Sequence, residues 1–186
     1  MRTVTSQQVV RTREALRRAV RGARDVAAIA IVAVVLAQLV MTSVAQAYQV
    51  EQSSMEPTLL PHDRVLVNKL VYRLRAPRSG DVVVLRYPRD PTRNYIKRLV
   101  AGPGARVEIR AGQLVIDDRP VEEVYLIGRP TGDWGPEVVP PDSYFVLGDN
   151  RNNSEDSRAF GFLRRDQIVG PAMLIYWPPH RVRLLP

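Results

Sequence analysis

An uncharged apolar run near the amino terminus constrains the fold of this chain more than any other feature. No charged side chain occurs from Val26 to Ala47, a run of 22 residues. As an α-helix with a rise of ~1.5 Å per residue, the run would be about 33 Å long, enough to cross the roughly 30 Å hydrocarbon core of a bilayer. A small domain has no room to bury a helix that is apolar on every face. The sequence therefore predicts a transmembrane helix over residues 26–47, in preference to a buried core helix.

The charges that flank this run predict its orientation. Residues 1–25 contain seven arginines against Glu14 and Asp25, which accounts for five of the net charge of +8. Because basic residues accumulate on the cytoplasmic side of a membrane span, residues 1–25 are expected to be a cytoplasmic tail and residues 48–186 an extracytoplasmic domain. In that domain the basic and acidic residues are interspersed, so we expect no nucleic-acid partner.

A secretory signal peptide is the alternative interpretation of the apolar run. Ala45-Gln46-Ala47 has the small-x-small form of a cleavage site. The run is longer than the ~7–15 residues of a usual signal-peptide core, which favours a retained anchor. Cleavage of the chain between Ala47 and Tyr48 by another copy is a further possibility.

After residue 47 the sequence pattern becomes typical of β-strands. Short runs rich in β-branched residues are separated by Pro and Gly, as in antiparallel sheets. These runs cover residues 64–72, 81–87, 94–100, 106–110, 113–117, 143–147 and 167–170. Ala111-Gly112 is typical of a tight hairpin turn. The Pro- and Gly-rich residues 128–141 indicate a surface excursion, within a short cap-like segment at about 118–141. We predict a mainly β, antiparallel domain preceded by one transmembrane helix.

Composition limits the chemistry that is available. The chain has no cysteine and two histidines, which excludes thiolate nucleophiles and leaves little material for a metal site. We expect no metal and no organic cofactor. Lys69 and Lys97 are the two lysines among 27 basic residues. An ammonium can lose its proton when buried, whereas a guanidinium cannot, so a lysine in so arginine-rich a chain can mark a catalytic base. Lys69 has no evident catalytic role.

Four segments carry a family resemblance. They are Ser54-Met55-Glu56-Pro57-Thr58-Leu59, Gly80-Asp81-Val82-Val83, Tyr95-Ile96-Lys97-Arg98, and the stretch from Gly148 to Arg158. In this order they resemble the motif boxes of bacterial type I signal peptidases. The resemblance extends from about Tyr48 to the carboxyl terminus and includes the preceding anchor. It implies the β fold that these peptidases share with self-cleaving repressors.

The resemblance also implies a Ser–Lys dyad. Ser54 would attack the scissile carbonyl, and Lys97 would accept its proton and later deprotonate water. For this the Lys97 amine must be neutral near pH 7, which burial favours. In a strand Tyr95, Lys97 and Leu99 share one face, so Lys97 is expected among apolar neighbours. Ser53 is the rival nucleophile, but Ser54 is the serine that precedes the Met-x-Pro-Thr-Leu register.

The resemblance assigns supporting roles to residues around the dyad. Ser154 would orient the Lys97 amine by a hydrogen bond. A charged scaffold of Asp149, Asp156 and Arg158 would hold the late loop beside the dyad. The Ser54 backbone N–H would be one donor to the oxyanion, and Gln52 stands where some family members have a serine that provides the second.

The function implied is that of a membrane-anchored endopeptidase. It would remove signal peptides from exported preproteins after Ala-x-Ala sites, at the outer face of a bacterial plasma membrane, as a monomer. An extended substrate could add to a strand edge. The residues expected to shape its shallow apolar pockets are Val50, Met55, Leu59, Tyr95 and Ile96.

Three other interpretations remain open at this point. A Ser-His-Asp triad could use His62, Asp63 or His180, although both histidines lie in probable turn or Pro-rich contexts. A self-cleaving repressor would carry a DNA-binding module in place of the anchor. A non-catalytic, membrane-tethered β module would leave Ser54 and Lys97 without a role.

Overall fold

The computed structural model describes residues 21–38 and 44–186, and the chain divides into two compact units, Met1–Ser43 and Val44–Pro186. In the first unit, residues 21–38 form helix α1, whose side chains are exposed. Among the described residues, no helix combines the length and the apolar character that a membrane span requires. Residues 39–43, in the second half of the predicted span, and residues 1–20 of the predicted tail lie outside the described part.

The predicted carboxyl-terminal boundary of the transmembrane helix, residue 47, is wrong. Ala45–Gln49 form strand β1 and not the last turn of a helix. This strand pairs with residues 64–68, with Ala47 opposite Leu66. The reason is tertiary, because a neighbouring strand supplies the hydrogen bonds that a helix would make within itself.

The larger sheet of the second unit has eight strands and is antiparallel throughout. Its strands are β1, β2 (Arg64–Asn68), β3 (Val82–Tyr87), β4 (Asp90–Ala101), β9 (Ser143–Leu147), β10 (Leu163–Arg164), β11 (Ile168–Trp177) and β12 (Arg183–Leu184). Their order is β1-β2-β11-β3-β4-β9-β10, with β12 paired to β11. The strands alternate with turns and short helices, so the prediction of a mainly antiparallel β domain is confirmed.

The smaller sheet has four strands. These are β5 (Arg106–Arg110), β6 (Gln113–Ile116), β7 (Arg119–Pro120) and β8 (Trp134–Val138), in the order β7-β6-β5-β8. The predicted hairpin is present between β5 and β6, with φ values of 51° at Ala111 and 73° at Gly112. A two-residue turn with both φ values positive matches the twist of the strands that it joins.

Two predicted segments differ from the structure. The excursion at 118–141 is not merely a loop, because β7 and β8 within it join the smaller sheet. Gly135 and Pro136 are unusual inside a strand, so the sequence does not predict β8. The strand forms because it pairs with β5. The strand predicted over 64–72 ends at Asn68, whose side chain accepts hydrogen bonds from the Leu70 and Val71 backbone N–H groups. This turn starts helix α2 (Val71–Leu74).

The core lies on both faces of the larger sheet and continues into the smaller one. β3 is buried at five of its six residues, and β4 is buried from Lys97 to Ala101. β4 lies between β3 and β9, with Lys97 opposite Val83 and Arg98 opposite Leu147. A lysine and an arginine therefore occupy central positions of a sheet whose neighbouring side chains are apolar.

Candidate active site

Ser54 lies in a tight 3-10 turn that follows β1. The turn comprises Ser53–Met55, and both Ser54 and Met55 are buried. Met55 packs with Val50 and Leu59 in a core cluster beneath the turn. These apolar neighbours anchor the turn and hold the Ser54 hydroxyl at the surface of the sheet.

Lys97 projects from β4 toward this hydroxyl. Its Nζ lies 2.6 Å from Ser54 Oγ, across 43 residues of sequence. Lys97 is 1% exposed and is the largest fully buried side chain of the described residues. Its Nζ also lies 5.2 Å from the centroid of the Tyr95 ring, two positions earlier on the same face of the strand. The geometry is that of a nucleophile within hydrogen-bond reach of a base.

Burial brings the pKa of the Lys97 ammonium closer to neutral pH. Loss of solvation lowers the pKa of the Lys97 ammonium from 10.5 to about 8, although the negative charges of Asp156, Glu155 and Asp149 oppose the shift. A base with a pKa near the working pH combines a useful neutral fraction with the driving force to take a proton.

The loop after β9 is attached to the Ser54 turn by asparagine contacts. The Asn150 backbone N–H donates to the Ser54 carbonyl oxygen at 3.0 Å, and its side-chain amide donates to the Ser53 carbonyl at 3.3 Å. Asn153 donates to Ser53 Oγ at 2.8 Å. The Ser53 hydroxyl is therefore engaged with an amide, and Ser54 is the serine that faces Lys97.

Two ion pairs stabilise the same region, one between the loop and the sheet and one local to the loop and the short helix that follows it. Asp149 accepts hydrogen bonds from Arg98 Nε and Nη2, both at 2.8 Å, so the pair is bidentate. Asp156 accepts from Arg158 Nε at 2.8 Å and from the Gly148 backbone N–H at 3.0 Å, and it also caps helix α3 (Ser157–Phe160). Both carboxylates are buried, and neither bonds directly to Lys97.

Gly148 marks the point of closest approach between the loop and the Ser54 turn. A Cβ atom at this position would clash with the Ser54 carbonyl oxygen and with the Ser154 side chain. Only a glycine allows the loop backbone to pass so close to the nucleophile.

Comparison with known proteins identifies the family. Residues 23–177 match the family model described as signal peptidase, peptidase S26. The signal peptidase I of Leptolyngbya laminosa is 42% identical over 157 residues, which cover 80% of this chain and 77% of that protein. The signal peptidase I P of Bacillus subtilis subsp. natto is 38% identical over 164 residues, covering 82% of this chain and 88% of that protein. A crystal structure of a signal peptidase I from Enterococcus faecalis V583 matches with a TM-score of 0.48 and 32% identity, over 52% of this chain and 97% of that one.

This chain belongs to the signal peptidase family, peptidase S26. The resemblance stated from its four motifs is confirmed, and the chain is a peptidase of that family.

The hydrogen bond expected between Ser154 and Lys97 in this S26 peptidase is not present in the structure. Ser154 Oγ is buried without a hydrogen-bond partner among the described residues and lies beside Gly148. The Lys97 amine bonds instead to Ser54 Oγ.

The predicted pocket residues separate into two groups. Val50, Met55, Tyr95 and Ile96 line a groove of about 430 Å³ that also contains Ser54, Lys97 and Gln52. Leu59 does not line this groove and is fully buried in the core, so its prediction as a pocket residue is wrong. Gln52 is exposed at the groove, and its side chain makes no capping hydrogen bond to the Ser54 turn.

A Ser-His-Asp triad has no support in the geometry. Asp63 bonds to Arg181 and to the Leu60 backbone N–H rather than to a histidine. His62 and His180 are both exposed, and within the described part of the chain neither is hydrogen-bonded to Ser54.

Sequence reasoning missed several residues that support the site. The sequence predicts no role for Arg98, yet it is the partner of Asp149. Glu155 accepts hydrogen bonds from the Tyr87 and Tyr95 hydroxyls at 2.6 and 2.9 Å. Arg151 forms a buried ion pair with Glu123. The only available signal was that Arg98, Arg151 and Glu155 lie inside two of the four motifs.

Proposed function

We propose that this chain is a membrane-anchored serine endopeptidase that removes signal peptides from exported preproteins, with Ser54 as nucleophile and Lys97 as general base. The single observation that carries the assignment is the 2.6 Å contact between Lys97 Nζ and Ser54 Oγ, with the lysine almost fully buried. Membership of the S26 family supports the substrate class.

The reaction follows from this contact. Neutral Lys97 removes the hydroxyl proton as Ser54 Oγ attacks the scissile carbonyl, and the Ser54 backbone N–H donates to the oxyanion. Lys97 then gives the proton to the departing amine of the mature protein, leaving an acyl-enzyme on Ser54. The neutral amine next deprotonates water, which hydrolyses the acyl-enzyme and restores the serine.

The groove supports the expected preference for small residues around the cut. β1 is at the end of the larger sheet, so its outer edge has no strand partner in that sheet. An extended substrate that adds to this edge gains backbone hydrogen bonds that tolerate many sequences. The apolar walls made by Val50, Met55 and Ile96 lie in the same groove as the dyad. Cleavage after Ala-x-Ala is the specificity that we propose.

The anchor that we propose is shorter than residues 26–47. Because β1 begins at Ala45, the membrane segment covers residues 26–43, which as a helix would be about 27 Å long. That length is near the roughly 30 Å hydrocarbon thickness. The arginine-rich residues 1–25 then lie in the bacterial cytoplasm and the second unit outside, as a monomer.

The position of Ala45–Ala47 supports a retained anchor over a cleaved signal peptide. Cleavage after Ala47 would remove three of the five residues of β1, which pair with β2. For the same reason, self-cleavage after Ala47 would require this part of β1 to leave the sheet.

Preprotein cleavage in detergent tests the dyad. Ser54→Ala and Lys97→Arg are expected to abolish turnover, because the first removes the nucleophile and the second replaces a titratable amine with a permanent cation. Ser53→Ala and Lys69→Arg are matched controls that change the neighbouring serine and the other lysine. Full turnover by Lys97→Arg would refute the base assignment. Resistance of the full chain to alkaline extraction from membranes separately tests the anchor.

A further inference from the structure

Lys69, the lysine that catalysis does not use, lines a second groove. This groove has a volume of about 820 Å³ and lies between α2 and the segment that joins β10 to β11. Its cationic lining residues are Lys69, Arg73, Arg164 and Arg165, and its acidic ones are Asp142 and Asp166. Four positive and two negative charges leave the groove with a net charge of +2.

The four cations differ in the partners that hold them. Arg164 is paired with Asp166 by bonds of 3.1 and 3.0 Å. Arg165 donates to the Tyr72 carbonyl oxygen and to the Tyr144 hydroxyl. In contrast, no ion pair joins Lys69 or Arg73 to a carboxylate within residues 44–186. Both ammonium and guanidinium groups are therefore available to an external anion.

An exposed apolar side chain adjoins the groove in sequence, outside its lining residues. Leu74 is 88% exposed and follows Arg73 directly in α2. A large aliphatic side chain beside free cations is the composition of a surface that meets the boundary between lipid headgroups and acyl chains. A soluble anion such as inorganic phosphate would use the cations but not Leu74.

One residue of the groove, Lys69, contacts the first residue of the second unit. The Lys69 backbone N–H donates to the Val44 carbonyl oxygen at 2.8 Å, and Val44 is the first residue of that unit. Residues 26–43, the anchor segment proposed above, immediately precede it. A chain that leaves a bilayer at this point brings Lys69 close to the headgroups.

We propose that the groove of Lys69 and Arg73 binds the phosphate of anionic phospholipids, and that Leu74 inserts beside it to hold the catalytic unit on the bilayer. The inference rests on the proposed anchor, and it goes beyond that anchor by assigning a specific lipid-binding surface. The lysine ammonium acts as a point charge for phosphate, and the arginine fork can bind two phosphate oxygens. Each cation near an anionic surface strengthens docking about fivefold.

A single fluorophore at position 74 tests the proposal. The chain has no cysteine, so Leu74→Cys provides one thiol for labelling the full-length protein. The labelled protein is reconstituted into vesicles of phosphatidylcholine, with or without phosphatidylglycerol, that carry a fixed fraction of a headgroup quencher. We expect stronger quenching with phosphatidylglycerol, and a return to the phosphatidylcholine level when Lys69→Gln and Arg73→Gln are added.

A charge-matched variant controls for general electrostatics. Arg119→Gln with Arg129→Gln removes two exposed cations elsewhere and is expected to leave the quenching unchanged. Equal quenching in the two vesicle types, or an equal loss in both double variants, would overturn the proposal. Reversal by inorganic phosphate at matched ionic strength would also overturn it, because the groove would then be a site for free phosphate.

Failure of this inference can be distinguished from failure of the proposed function. Alkaline extraction of the vesicles reports whether the chain is anchored, irrespective of lipid charge. Preprotein cleavage in detergent reports the dyad, irrespective of both. If the protein is anchored and active but the quenching of its label does not change with phosphatidylglycerol, only the lipid groove is refuted.

Discussion

At the scale of single residues, the buried amine of Lys97 is expected to control the pH dependence of the reaction. The pKa of this ammonium is lowered to about 8, and only the neutral form can accept a proton from Ser54. We predict that kcat/KM rises with pH, is half-maximal near pH 8 and reaches a plateau about one unit higher. Initial rates of peptide cleavage between pH 6 and 10 test this. A profile that is flat across that range would contradict the assignment of Lys97 as the base.

The same lysine is expected to reduce stability. A fall in pKa from 10.5 to about 8 corresponds to about 3 kcal/mol of unfavourable free energy for the cation in the folded state. Lys97→Met removes the charge at similar length and loses one hydrogen bond worth about 1 kcal/mol. We predict an inactive variant that is about 2 kcal/mol more stable at pH 7, measured by denaturant unfolding.

This gain in stability should depend on pH in a defined direction. Between pH 8 and 10.5 the unfolded wild type binds more protons at Lys97 than the folded wild type does. Wild-type stability therefore rises with pH across this window, and the advantage of Lys97→Met shrinks. A variant less stable than the wild type at pH 7 would show that burial of the cation is not costly.

A further prediction at the residue scale concerns the buried hydroxyl of Ser154. Its hydroxyl is buried without a partner among the described residues, and such a group costs free energy in the folded state. Ser154→Ala is therefore expected to unfold at the same denaturant concentration as the wild type or to gain about 1 kcal/mol. A clear loss of stability would indicate a hydrogen bond that this structure does not contain.

At the scale of elements, strand β4 and the loop after β9 are joined by Arg98 and Asp149. The two side chains are 4% and 0% exposed. We predict that Asp149→Asn costs about 3–5 kcal/mol of unfolding free energy, because it leaves a buried guanidinium without its counter-charge. Asp166→Asn is the control, since its pair with Arg164 is 66% and 73% exposed. That surface change should cost less than about 1 kcal/mol, and equal losses in the two variants would refute the argument.

The elements also show where sequence patterns suffice. β3 and β4 carry dense β-branched runs and lie where the pattern predicts them. β8 contains Gly135 and Pro136, and its pairing with β5 depends on a partner about thirty residues earlier in the chain. The sequence predicts that the first residues of β1 continue the preceding helix. They form a strand because they pair with β2. Local propensity decides the first pair of strands, and pairing partners decide the other two.

At the scale of the whole molecule, the second unit should fold by itself. Its three core clusters are drawn from residues 48–185, so a fragment of residues 44–186 keeps every cluster member. We predict that this fragment shows a β-type circular dichroism spectrum and cleaves a soluble Ala-x-Ala peptide within about threefold of the full chain, because the dyad does not depend on residues 1–43.

The same fragment should behave differently at a membrane. Without residues 26–43 it is expected to be released by alkaline extraction, whereas the full chain is retained. An insoluble or inactive fragment would show that the first unit is required for the fold of the second.

The sequence by itself determined the class of the fold and the order of its motifs, and the family resemblance of those motifs pointed to Ser54 and Lys97. The fold class depends on local patterns, namely the alternation of β-branched residues and the placement of Gly and Pro. The tertiary structure decided the rest. It engaged the Ser53 hydroxyl with Asn153, paired Arg98 with Asp149, and left Ser154 without a partner among the described residues. The physical reason is range, because these contacts join residues separated by tens of positions, and the packing of the loop after β9 against the sheet and the Ser54 turn brings them together.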